Sequence, residues 1–135
     1  MSKLASTKVL VVDDDEQILL LTAKILTAAG FEVVTRSSPV GTSAVVVAER
    51  PDVVLIDLNM PLLSGERLTA HVRRALTASP IIVLYSGLAE SVLQERAANC
   101  GADGYIPQGL RRSDLVDHLR RIVQRVRAQR ATSLS

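Results

Sequence analysis

Tryptophan is absent, and the 135 residues hold only two tyrosines and one phenylalanine. Any core must therefore be assembled from Val, Leu, Ile and Ala. A single cysteine, Cys100, excludes an internal disulfide and suits a reducing cytoplasm. No apolar run approaches the roughly 20 residues of a membrane span; the stretch Ile18–Ala29 is too short and carries Lys24. Nothing before Asp13 reads as the apolar segment of a secretory signal, so a cytoplasmic, non-membrane protein is expected. The first apolar run ends in acids and not in Gly-x-Gly-x-x-Gly, which argues against a dinucleotide-binding fold. There is no internal linker, repeat or low-complexity tract.

What is present suits one compact domain, with 47% hydrophobic and 22% charged residues. The net charge of +2 is uneven. Residues 1–110 hold nine Lys/Arg against twelve Asp/Glu, whereas residues 111–130 hold seven Arg against two Asp. The basic character thus belongs to the last segment. A single domain is expected over residues 1–130, with Ala131–Ser135 as a frayed tail.

The pattern along the chain predicts five strand–helix units. Strand 1 covers about Lys8–Asp13, followed by a helix with Ile18, Leu21, Ile25 and Ala29 on one face and Gly30 as its stop. Asp15 and Glu16 suit that helix's positive end. Strand 2, Phe31–Thr35, alternates and reads as an edge strand. Pro39 is expected to open helix 2, which runs to about Arg50 although Val45, Val46 and Val47 are poor helix formers. Strand 3, Val53–Asp57, is apolar on both faces, as in a central parallel strand. Helix 3 (about Gly65–Thr77), strand 4 (Ile81–Ser86), helix 4 (about Ser91–Cys100) and strand 5 (Gly104–Ile106) follow. Ser113 is a candidate cap for helix 5, whose apolar stripe is Leu115, Leu119, Ile122, Val123 and Val126. Strict alternation implies an α/β fold with a parallel sheet and helices on both faces.

Four runs end in a characteristic polar residue: Asp13-Asp14-Asp15, Asp57, Ser86-Gly87, and Pro107-Gln108-Gly109. In a parallel sheet all these endings share the carboxyl edge, where open α/β sheets build their sites. Converging Asp13, Asp14 and Asp57 would repel by roughly 3 kcal/mol per pair at about 5 Å and an effective dielectric of about 20. A hard divalent cation relieves that conflict, and oxygen ligands with open positions favour Mg²⁺. Asp57 is then placed to act as a nucleophile toward phosphorus, with Ser86 beside it.

The stretches Val9-Leu-Val-Val-Asp-Asp-Asp15, Val54-Leu-Ile-Asp-Leu-Asn-Met-Pro61, Ser86-Gly87 and Gly101-Ala-Asp-Gly-Tyr105 resemble the receiver domain of bacterial two-component response regulators, specifically the stand-alone, chemotaxis-regulator-like kind. The resemblance implies a flavodoxin-like, doubly wound (βα)5 fold with strand order 2-1-3-4-5. It implies Asp57 as phosphoacceptor, Asp14 as a direct Mg²⁺ ligand, Asp13 acting through water, and the backbone carbonyl of Asn59 as a further ligand. Ser86 would be the switch hydroxyl and Tyr105 the switch aromatic. The phosphoryl donor would be a histidine kinase or phosphotransfer protein. Output would be a protein contact through helix 4, strand 5 and helix 5, a surface that is also a candidate for homodimer pairing.

One departure stands out. Receivers usually carry Lys-Pro after strand 5, where this chain has Gln108-Gly109. Gln108 keeps a hydrogen-bond donor but no charge, and Arg111 or Arg112 is a candidate substitute. The departure supports an alternative, a degenerate receiver serving as a phosphorylation-independent scaffold. An aspartate-nucleophile phosphatase is a weaker alternative, because Asn59 stands where such enzymes need a second aspartate. The protein is therefore not expected to be an enzyme beyond its own phosphorylation and dephosphorylation. His71 and His118 read as surface or boundary residues. The helix 5 arginines read as a solvated face or a dock for an acidic partner. Without aromatics for stacking or a DNA-reading motif, nucleic acid is not an expected partner.

Overall fold

The computed structural model describes residues 6–76 and 78–133. Five strands alternate with five helices: β1 (Lys8–Val12), α1 (Glu16–Ala28), β2 (Glu32–Arg36), α2 (Thr42–Glu49), β3 (Val53–Asp57), α3 (Gly65–Ala75), β4 (Ile81–Ser86), α4 (Glu90–Cys100), β5 (Gly104–Pro107) and α5 (Arg112–Ser133). All pairings are parallel, and the strand order is β2-β1-β3-β4-β5. This is the flavodoxin-like order expected from the motifs.

Successive side chains of a strand point to opposite faces, so each strand feeds two cores. Val9, Val11, Val53, Leu55, Ile81 and Val83 pack toward α1 and α5. Leu10, Val12, Val54, Ile56, Ile82 and Leu84 pack toward Val46 of α2, Leu68 and Val72 of α3, and Leu93 of α4. The continuous apolar runs of β1, β3 and β4 follow from burial on both sides, whereas β2, at the edge, has no fully buried residue.

Several local expectations are corrected. Ile18, Ile25 and Ala29 of the expected α1 face pack against the core, but the fully buried positions are Leu19, Thr22 and Leu26, and Leu21 is 49% exposed. Four consecutive apolar residues, Ile18–Leu21, leave the helical phase ambiguous, and the buried Thr22 hides it further. Helix α2 begins at Thr42, not Pro39. Residues 38–41 instead form a turn in which Gly41 adopts φ +83°, and the Arg36 guanidinium donates to the Val40 carbonyl. Helix α5 starts at Arg112, so Ser113 lies inside its first turn instead of capping it. It continues helical to Ser133, past the expected start of the tail at Ala131; the Thr132 and Ser133 hydroxyls donate back to the Ala128 and Gln129 carbonyls. Thr77, the expected end of helix 3, and residues 134–135 lie outside the described residues.

At the amino edge of the sheet, acids at loop ends collect strand N–H groups. Asp52 accepts from Lys8 N at 2.8 Å, and Asp103 accepts from Ile82 N at 2.8 Å. Asp103 also pairs with Arg73 of α3 at 3.2 Å and with Arg130 of α5 at 3.9 Å. Three α5 arginines serve the fold directly. Arg120 donates to Ala29 O and lies 5.8 Å from the Phe31 ring centre, Arg125 donates to Asp103 O, and Arg130 donates to Ser79 O at 2.9 Å. The α5 arginines are therefore only in part a solvated face.

Candidate functional site

The three carboxylates converge. Asp13 follows the last residue of β1, Asp57 ends β3, and Val12 is in register with Ile56. Asp13, Asp14 and Asp57 each present an oxygen, and these oxygens lie within 4.8 Å of one another. Local hydrogen bonds hold them there. Asp13 N donates to the Arg36 carbonyl at 3.1 Å, and the Asp13 carboxylate accepts from Asp15 N at 2.9 Å. Asp15 in turn caps α1, accepting from Gln17 N and Ile18 N. The Asp57 carboxylate accepts from Asn59 N at 3.1 Å, which fixes the Asn59 backbone beside the acids.

Asp13 is 1% exposed, and its Oδ2 has no hydrogen-bond partner among the described residues. Burial, reinforced by Asp57 and Asp14, pushes its carboxyl up from 3.8 to about 6. Burial raises Asp57 as well, against the Asn59 N–H that favours its charged form. Among the described residues no Lys or Arg forms an ion pair with any of the three. Clustered hard oxygens, one of them buried and unpaired, make a donor set that fits a divalent cation such as Mg²⁺.

Ser86 ends β4 and is fully buried, with its Oγ accepting from Leu88 N at 3.3 Å. Tyr105, on β5, is half-buried against the α2–α3–α4 side of the core and in register with Leu84. Gln108 follows β5, and its N donates to Ser86 O at 2.8 Å, extending the ladder by one step. The Gln108 side chain lies over Gly87: its Oε1 is 3.7 Å from where a Cβ on Gly87 would sit. Neither candidate arginine joins this group. Arg111 is exposed, and Arg112 lines a groove between α1 and α5 with Leu21, Lys24 and Val116.

Two supports of the site were not anticipated. Gly65 opens α3 directly against the end of β3. A Cβ there would lie 2.8 Å from the Asp57 carbonyl oxygen and 2.9 Å from Leu58 Cα. The sequence signal was Ser64-Gly65, a cap followed by a residue without a side chain; the Ser64 hydroxyl accepts from Arg67 N. Behind Asp13, Tyr85 of β4 packs into the α1–α5 side of the core, where burial raises its phenol.

Comparison with known proteins agrees with this geometry. The family model described as "Response regulator receiver domain" matches residues 9–120. The chain is 37% identical over 119 residues to the transcriptional regulatory protein KdpE of Mycobacterium tuberculosis, covering 88% of this chain and 52% of that one. It is 33% identical over 132 residues to PrrA of Mycobacterium bovis, covering 96% of this chain and 55% of PrrA. Among solved structures, the chemotaxis response regulator CheY4 of Vibrio cholerae superposes with a TM-score of 0.77 at 26% identity, over 87% of this chain and 99% of that one. The BeF3-activated N-terminal receiver domain of Klebsiella pneumoniae RstA superposes with a TM-score of 0.77 at 27% identity, over 86% and 97%. The chain belongs to the response regulator receiver family, and its role is that of a receiver domain in two-component signal transduction. It spans about half the length of the curated relatives it matches. No described helix is long and apolar enough to cross a membrane.

Proposed function

We propose that Asp57 is the phosphoacceptor of this receiver. A carboxylate oxygen of Asp57 attacks the phosphorus of a donor phosphohistidine. A P–O bond forms, the P–N bond breaks, and the imidazole leaves with a proton. The observation that carries this reading is the convergence of Asp13, Asp14 and Asp57 on one sheet edge, with Asp13 buried and half unpaired. Asp13, Asp14, Asp57 and the backbone carbonyl of Asn59 would hold Mg²⁺, which when bound offsets charge on the phosphoryl oxygens. Asp13 and Asp14 supply the negative charge that draws the ion beside the acceptor. Ser86 would donate its hydroxyl hydrogen to the new phosphoryl group, its oxygen already accepting from Leu88 N.

Tyr105 would answer by turning inward, changing the surface of α4, β5 and α5 for a protein partner. Residues 1–130 would form the signalling unit. A histidine kinase or phosphotransfer protein would be the donor, and the setting cytoplasmic. Beyond its own phosphorylation and dephosphorylation, no enzymatic activity is proposed.

The test is incubation with Mg²⁺ and acetyl phosphate or phosphoramidate, followed by intact mass. One added phosphoryl group on wild type, absent from Asp57→Asn, is expected. Mg²⁺ binding without any phosphoryl gain would refute the phosphoacceptor role and favour the scaffold alternative.

A further inference from the structure

We propose that the amino edge of the sheet, the end opposite Asp57, is a docking groove for an acidic peptide segment of a partner protein, with Arg127 as its central contact. The first observation is an imbalance of charge at that edge. Its acids are already engaged: Glu49 and Glu32 pair with Lys8 at 2.8 and 3.7 Å, and Asp103 pairs with Arg73 and Arg130. Arg127 is exposed and makes no hydrogen bond or ion pair among the described residues. The contacts of Arg120, the Ala29 carbonyl and the Phe31 ring, are uncharged and leave its positive charge without a counter-ion. Such a cluster attracts a negatively charged partner.

The second observation is the shape that lies beside this charge. One hollow of about 270 Å³ is lined by Thr7, Phe31, Val123 and Arg120, and another of about 190 Å³ by Pro51, Asp52, Pro80 and Arg130. Arg127 lines both, so the two adjoin as one groove. It passes beneath the starts of β2, β1, β3 and β4, which are neighbours in that order. Three strand spacings make it about 14 Å long, the reach of roughly four residues of extended chain. On α5, Arg127 follows Arg120 by two turns, about 10 Å, and Arg130 lies about 4.5 Å further on. Acids spaced along an extended segment meet these three guanidinium groups, while its apolar side chains enter the hollows walled by Phe31, Val123, Pro51 and Pro80.

The third observation is that the groove offers acceptors as well as cations. Asp52 is exposed and uses Oδ2 for Lys8 N, which leaves its other oxygen open. A peptide main chain brings N–H donors to that oxygen. A phosphodiester chain brings none and would meet the Asp52 charge. The Phe31 ring carries Arg120 over it and packs against the core, so it is no platform for a base. Asp52 and Asp57 bracket β3 and stand about 16 Å apart along it, so the groove and the acidic pocket are separate surfaces.

The probe is a fluorescein-labelled peptide, Asp-Pro-Leu-Glu-Asp-Pro-Leu-Glu, followed by anisotropy at low salt on wild type, Arg127→Ala and Arg121→Ala. Arg121 is an exposed arginine of the same helix that lines a different hollow, with Tyr105 and His118, so its loss removes the same charge elsewhere. Neither arginine makes a hydrogen bond or ion pair among the described residues, so both variants should melt with wild type. Arg127→Ala should weaken the peptide about fivefold, the worth of one partly screened ion pair. Arg121→Ala should stay within about twofold, and added salt should weaken all three. Amide shifts should move at Thr7, Gly30 and Gln124 and stay still at Asp14 and Ser86. Asp57→Asn should bind as wild type does, whether or not Asp57 takes up phosphate. Equal weakening by the two arginine variants would overturn the proposal, by showing general attraction to α5. So would equal affinity for a peptide with glycine in place of its leucines and prolines, which would leave the hollows without a role. A DNA duplex that displaces the peptide from wild type and not from Arg127→Ala would assign the groove to nucleic acid instead. No rise in anisotropy at about 1 mM protein would show that the groove takes no such segment.

Discussion

Asp13→Asn should make this protein more stable and less able to respond to Mg²⁺. Asp13 is buried with an unpaired Oδ2, and its carboxyl is raised from 3.8 to about 6. Between about pH 4 and pH 6 the folded state therefore holds a proton that the unfolded chain has released. Stability must fall as pH rises through that window and stay at its lower level above it. Two pKa units correspond to about 3 kcal/mol at most, and relaxation around the buried carboxylate reduces this to about 2 kcal/mol. Asparagine keeps the oxygen that accepts from Asp15 N, so the turn into α1 survives while the charge is removed. At pH 8 in EDTA the variant should melt roughly 7 °C above wild type, and at pH 4 the two should nearly coincide. Mg²⁺ at about a hundred times its Kd should add about 2.7 kcal/mol to wild type and much less to the variant. Thermal melts from pH 4 to 8, with and without Mg²⁺, read all of this. A variant that melts below wild type at pH 8 in EDTA, or two pH curves that run parallel, would refute the assignment of the charge penalty to Asp13. Asp57 titrates in the same direction, so a residual slope should persist in the variant.

Three further outcomes follow from particular contacts. Gly65→Ala drives a Cβ to within 2.8 Å of the Asp57 carbonyl oxygen, a backbone atom that cannot swing aside. It should cost about 2 kcal/mol in denaturant melts and weaken Mg²⁺ by calorimetry, because Asp57 is displaced. Asp103→Ala strands the Ile82 N–H at the far edge of the sheet and takes the carboxylate from Arg73, which keeps Ser79 Oγ and the Gly101 carbonyl. It should cost about 2 to 3 kcal/mol in the same melts while leaving Mg²⁺ affinity unchanged. Glu66 and Arg96 join α3 to α4 through two hydrogen bonds at 2.7 and 2.8 Å, and the arginine holds the Glu66 carboxyl below its usual range. Both side chains are about a third exposed, so a double-mutant cycle should return less than about 1 kcal/mol at neutral pH. That coupling should vanish as pH falls and Glu66 protonates.

The elements that were legible in the sequence are those whose burial pattern admits one answer. β3 and β4 were bounded correctly because four or more apolar residues run between a turn and a polar stop, and the ends of those runs gave the acids and Ser86 together. The phase of α1 is legible in part: Ile18, Ile25 and Ala29 pack against the core as expected, but Leu21 faces outward and a fully buried position is taken by Thr22. The start of α2 was misjudged because Pro39 favours a first helical turn, but Gly41 breaks the helix there with a left-handed residue. The role of Gly65 was hidden because close approach is a property of two elements, whereas the sequence shows only one at a time. Arg120, Arg125 and Arg130 read as a charged stripe, yet their acceptors are backbone carbonyls of Ala29, Asp103 and Ser79, which carry no side-chain signal.

The two edges of the sheet are held by opposite policies, and the contrast locates the function independently of any motif. At the amino edge, Asp52 and Asp103 satisfy strand N–H groups, and Asp103 is itself paired with Arg73 and Arg130. At the carboxyl edge, the buried side-chain atoms left without a partner among the described residues are Asp13 Oδ2, Arg36 Nε and Gln108 Nε2. They sit at the ends of β1, β2 and β5. Random defects would fall on both edges, and each costs stability that the fold could recover by an apolar substitution. Two of them, Asp13 and Gln108, lie on opposite sides of the strand that carries Asp57, at the ends of neighbouring β1 and of β5 beyond β4, one a bare acceptor and the other a bare donor. On the proposed reading a ligand completes these groups, so ligand-free stability and ligand affinity should move in opposite directions for substitutions at both positions. Arg36 supplies the control. Its Nη2 is already engaged by the Val40 carbonyl, so replacing it should disturb the residue 38–41 turn without improving the ligand-free melt. An increase in ligand-free stability from Arg36→Leu equal to that from Gln108→Leu would show that the opposition belongs to the edge in general and not to the site.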